Sequence, residues 1–111
     1  MRAKRSWLMV AAILAPFAAG ADIPPQRQDQ LRHLLRHDCG SCHGMRLTGG
    51  LGPPLTPASL ASKPAPALAA TIRYGRAGTP MPPWNGLLSA EEARWLADLM
   101  KGGLGDAGAN E

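Results

Sequence analysis

The chain has 111 residues, 12 Lys and Arg against 8 Asp and Glu, and a net charge of +4. That length suits one domain and not two. The basic residues are scattered from Arg27 to Arg94 instead of clustering on one face, which argues against a nucleic-acid-binding surface.

In chain order, the first predicted element is a leader over residues 1–21. Arg2, Lys4 and Arg5 form a charged start, residues 7–20 are an almost unbroken apolar run, and Ala19-Gly20-Ala21 has the small-x-small pattern of a cleavage site. The run is short of the ~20 residues a bilayer span needs, so cleavage before Asp22 and no lasting membrane anchor are expected. The leader carries three of the positive charges, so the remaining chain is close to neutral at +1. It also takes Trp7 and Phe17 away, leaving Tyr74, Trp84 and Trp95 as the aromatics of the domain over residues 22–111. A domain that small and that poor in aromatics needs a staple, and a large flat apolar cofactor would supply one.

Over residues 26–38, Leu31, Leu34 and Leu35 recur three and four apart among charged residues, which predicts an amphipathic helix running into Cys39. Residues 44–63 are rich in Gly and Pro and read as loop, with Thr56-Pro57 placed to cap a short helical turn. A second helix is predicted over residues 66–74, stopped by Gly75. Residues 78–86 form a Pro-rich strap. The last helix starts at Ser89, where Ser89-x-x-Glu92 is a capping box, and runs through Trp95, Leu96, Leu99 and Met100 to Gly102-Gly103. No strand is predicted; the chain reads as all-α and loop-rich, with a small polar tail after Gly105.

Cys39-Gly40-Ser41-Cys42-His43 has the C-x-x-C-H spacing of covalent haem attachment. Positions i, i+3 and i+4 share a helix face, so two thiols can meet the two vinyl groups on one haem edge while the imidazole reaches iron. Three other chemistries use such cysteines. A dithiol redox site belongs beside a βαβ pattern, which is missing. A structural zinc site needs four ligands, and the chain has no second cysteine pair. A disulfide remains open, though across four residues it would constrain little chain.

A second axial ligand has five candidates. Met45 follows His43 too closely to cross the haem plane. Met100 falls on the apolar stripe of the last helix, where methionine is ordinarily core. His33 and His37 lie one helical turn apart and read as solvated, with a surface metal pair or bis-histidine ligation as alternatives. Met81 belongs to no helical stripe and sits between Pro80 and Pro82-Pro83, a stiff strap able to present one thioether. The 38 positions from His43 to Met81 give the chain ample length to wrap a haem edge. A thioether ligand favours ferrous iron and leaves no open position for a substrate. Gly52-Pro53-Pro54-Leu55 can supply the carbonyl that orients a ligating histidine, and Pro53 is the expected acceptor.

With C-x-x-C-H, G-P-x-L and a Met strap in that order between terminal helices, residues 26–103 resemble a class I cytochrome c. The stretches around Cys39–His43, Gly49-Gly50-Leu51-Gly52-Pro53-Pro54-Leu55 and Tyr74-Gly75-Arg76 through Met81-Pro82-Pro83-Trp84 resemble the NirC-type periplasmic cytochromes encoded with denitrifying nitrite reductase. The resemblance implies three or four short helices around one covalent haem c, with terminal helices packed through Leu31, Leu35, Trp95, Leu96 and Leu99. It implies thioethers at Cys39 and Cys42, His43 as proximal and Met81 as distal iron ligand, and Pro53 as partner of His43. Arg73, Tyr74 and Trp84 become haem contacts in this reading, or else ordinary packing and surface. The implied role is a periplasmic, monomeric single-electron carrier and not an enzyme. It would dock transiently on the cytochrome cd-type nitrite reductase or serve assembly of that enzyme's d-type haem. An open-site haem enzyme or gas sensor, or a carrier for another periplasmic reductase, are the alternatives.

Overall fold

A computed structural model describes residues 23–104. The expected leader and the polar tail lie outside them. Within this range the chain is all-α: α1 (Pro25–Leu34) passes through a π-helical turn (Leu35–Cys39) into α2 (Gly40–His43), followed by α3 (Pro57–Leu60), α4 (Ala65–Tyr74) and α5 (Ala90–Lys101). The first helical segment therefore extends past the 26–38 span predicted from periodicity and carries all three C-x-x-C-H side chains. A π turn widens the helix by one residue, and such insertions concentrate at functional sites.

The ends of the helices follow local chemistry. Thr56 caps α3, its hydroxyl accepting from Ser59 N–H at 3.3 Å, with Pro57 at N1. Ser89 and Glu92 form the reciprocal capping box of α5, at 3.1 Å for Glu92 N–H to Ser89 Oγ and 2.9 Å for Ser89 N–H to Glu92 Oε1. α1 has no side-chain cap and starts on Pro24-Pro25, where the missing proline donor leaves nothing orphaned.

The core consists of Leu31 and Leu35 from the first helical segment, Leu60 from α3, Ile72 from α4, Leu96 and Met100 from α5, Leu47 and Leu88 from loops and turns, and four alanines. Among the described residues no aromatic side chain is fully buried; Trp84 and Trp95 pack on the core from its margin. α5 packs most extensively along α4 and touches α1 more sparingly. α1 and α5 share the buried cluster through Leu31 and Leu96, and their crossing is held by the Arg32 guanidinium 5.3 Å from the centre of the Trp95 ring and by an Arg27–Glu92 ion pair. Arg27 also donates to Leu87 O at 3.2 Å. At the other end of α5, Lys101 Nζ donates to Leu60 O at 2.7 Å and to Lys63 O, tying the last helix to the loop before α4. No described helix is long and apolar enough to cross a membrane.

Candidate functional site

The site is built from two stretches of chain well separated in sequence. On one wall, α2 delivers Cys42 and His43, and the π turn delivers Cys39. The loop after α2 folds back on it: Gly49 N–H donates to His43 O at 2.9 Å, and Gly52 N–H donates to Cys42 O at 2.7 Å. That return places the Pro53 carbonyl 2.7 Å from His43 Nδ1. A carbonyl only accepts, so the proton belongs on Nδ1 and the Nε2 lone pair is left for another partner. Gly52 packs against the imidazole face; a Cβ there would stand 2.7 Å from His43 Cε1 and 2.8 Å from Nδ1, so no side chain fits.

The other wall is the Met81 strap, pinned to the end of α4 by backbone. Gly75 leaves α4 at φ +70°, and a Cβ on it would meet Met81 O at 2.7 Å and Pro82 C at 2.9 Å, so this turn requires glycine twice over. Beyond the methionine, Trp84 N–H donates to Ile72 O at 3.1 Å and Asn85 N–H to Arg73 O at 3.0 Å. Before it, the Thr79 hydroxyl donates to Arg76 O at 2.7 Å and accepts from Met81 N–H at 3.4 Å. Arg76 N–H in turn donates to Met81 O at 3.4 Å. The strap's prolines lack donors, so these few bonds carry its anchoring.

Between the walls lies a cavity of about 610 Å³, inside the roughly 300–1,000 Å³ range of cofactor and ligand sites. Cys39, Cys42, His43 and Met81 all line it, with Leu96 and Met100 among the apolar side chains behind them. Burial, with the Asp38 carboxylate adding to it, pushes the Cys39 thiol up to about 11. Reactive dithiols need the opposite shift, towards thiolate. Both cysteines are free thiols, and among the described residues no three His, Cys, Asp or Glu side chains converge as a metal cluster would require. A large apolar slot lined by two cysteine thiols, an imidazole offering Nε2 and a thioether suits a flat macrocycle with a central metal. The residues present fit haem c.

The sequence-predicted residues separate at this cavity. Pro53 and Trp84 line it beside the two cysteines, His43 and Met81. Arg73 and Tyr74 do not. Tyr74 is exposed, with the Arg73 guanidinium 5.0 Å from its ring centre, and Arg73 Nε is buried without a partner. Two cationic side chains that sequence reasoning left unassigned, Lys63 and Arg76, do line the cavity. Arg76 had a signal in its place between the Gly75 stop and the strap; Lys63 had none. Met100 is at once core and cavity wall. His33 and His37 lie outside, both exposed.

A family model described as cytochrome c oxidase, cbb3-type, subunit III, matches residues 26–100. The chain is 58% identical over 97 residues to cytochrome c55X of Pseudomonas aeruginosa, covering 85% of this chain and 82% of that protein. It is 50% identical over 93 residues to cytochrome c55X of Paracoccus denitrificans, covering 80% of this chain and 90% of that one. Among solved structures, a c-type cytochrome NirC superposes with a TM-score of 0.71 at 61% identity, covering 72% of this chain and 94% of the other.

Proposed function

This chain belongs to the c-type cytochromes, in the family described as cytochrome c oxidase, cbb3-type, subunit III, and is of the NirC kind; we propose that it is a periplasmic monohaem carrier delivering single electrons to cytochrome cd-type nitrite reductase. The observation that carries the proposal is that Cys39, Cys42 and His43 line one cavity together with Met81, far from them in sequence. The sequence has a single C-x-x-C-H, which supports one haem.

Haem c, when bound, supplies a one-electron ferrous–ferric couple. Cys39 and Cys42 would hold it as thioethers. His43, its ring fixed by the Nδ1–H bond to Pro53 O, would offer Nε2 to the iron. Met81, on a strap held by backbone bonds to Arg76, Ile72 and Arg73, would offer its thioether. A thioether ligand would raise the potential, and iron held by two side chains would serve as a relay. Residues 1–21 are the export signal in this reading, and export agrees with haem attachment outside the cytoplasm.

Transient redox docking works through small, weak interfaces, so the pathway assignment is tested kinetically. Ferrous protein mixed with oxidised cytochrome cd-type nitrite reductase is expected to lose its reduced spectrum with a rate that rises with reductase concentration. No electron transfer under these conditions, with transfer to another periplasmic reductase intact, would remove the nitrite-reductase assignment and leave the carrier.

A further inference from the structure

His33 and His37 belong to no wall of the cavity and to no part of the core. Both are exposed, His33 on α1 and His37 on the π turn, and their ring centres are 4.2 Å apart at an interplanar angle of 38°. In a regular α-helix, residues i and i+4 are offset by about 40° around the axis. The π turn that starts at Leu35 widens the helix between the two residues, which takes up that offset and brings the rings over one another. Among the described residues neither imidazole has a hydrogen-bond partner, so each keeps a nitrogen lone pair to donate to a metal ion.

We infer that His33 and His37 form a two-imidazole chelate for a late first-row divalent transition metal ion, separate from the haem iron. Imidazole nitrogen suits Cu²⁺, Ni²⁺ and Zn²⁺, with Cu²⁺ bound most tightly. Rotation about the broad Cα–Cβ–ring torsions of two exposed side chains is enough to turn one nitrogen of each ring to a common ion. No third His, Cys, Asp or Glu converges there among the described residues, so water completes the coordination and affinity stays moderate. The chain has three histidines in all, and His43 faces the cavity, so this pair is the whole of its surface imidazole. The inference does not depend on the identity of the redox partner.

The test is calorimetric titration of the ferric holoprotein with CuCl₂, wild type beside His33→Gln, His37→Gln and the double variant. Wild type is expected to bind one equivalent saturably. Each single variant should weaken binding by about tenfold or more, and the double variant should abolish it, with the haem absorption spectrum unchanged in all three. Glutamine is a good helix former and both sites are exposed, so folding is not at issue. Copper electron paramagnetic resonance of the wild type should show splitting from two nitrogens. Absence of saturable binding, or binding that survives in the double variant, would overturn the inference.

Discussion

At the scale of single residues, the orientation of His43 depends on an atom that Gly52 lacks. A methyl group there would stand 2.7 Å from Cε1 of the ring, and the neighbour is an imidazole held by Pro53, not a free chain end. Gly52→Ala is therefore expected to push the ring off its carbonyl and to destabilise the protein by about 1–3 kcal/mol, as overpacking does. Thermal denaturation of the holoprotein measures this; an unchanged midpoint and ferric spectrum would contradict it. The residues that meet at the cavity were legible in short spacings: C-x-x-C-H, G-P-x-L and a methionine between prolines. What was not legible is tertiary. Lys63 and Arg76 come to the cavity only because the loop after α3 and the strap converge on it. Leu47 is buried at φ +58° inside a Gly-rich loop that gives no periodic signal.

At the scale of elements, the capping box and the amphipathic pattern placed α5 closely, and Thr56-Pro57 placed α3. Ser89→Ala removes the acceptor for Glu92 N–H and is expected to lower stability by about 1 kcal/mol, read as a shifted denaturant midpoint with unchanged slope. Glu92 does double duty. Its hydrogen bond to Arg27, then its bonds to Ser89, hold the carboxyl below its ordinary value of 4.5. A carboxyl depressed in the folded state stabilises above its unfolded value, and that stability is lost as pH falls through the folded value. The Arg27–Glu92 pair is partly exposed, so its worth is held to about 1 kcal/mol or less. Glu92→Gln should accordingly be less stable than wild type near neutrality and nearly equal to it in acid. A constant gap across that range of pH would rule the ion pair out as the cause. The π turn escaped the sequence because Leu31, Leu34 and Leu35 satisfy an ordinary helical repeat, and the widening begins only at Leu35. The packing of the last helix also differs in emphasis: α5 leans mainly on α4, with α1 held at one crossing by Leu31, Arg32 and Arg27.

At the scale of the molecule, the fold encloses a slot that its own side chains do not fill. Among the described residues, four of the twelve buried hydrophobic residues are alanine and none is aromatic, and the apolar wall of the cavity has no side chain packed into it. The scarcity of core aromatics was visible in composition; the shape of the space was not, since it arises from the meeting of α2, α4, α5 and the strap. Cys39→Ser with Cys42→Ser is expected to abolish haem staining on a denaturing gel and to leave little folded protein, measured as the loss of cooperative unfolding. Helix content and cooperativity equal to those of the wild type would show that the core stands without its cofactor. The most direct test of the account is the ferric absorption spectrum of wild type beside Met81→Ala. Wild type is predicted to show the weak methionine-to-iron band at the red end of the visible, and the variant to lose it while keeping its covalent haem. A Met81→Ala protein that retains the band would place the distal ligand elsewhere and contradict the closed, six-coordinate relay.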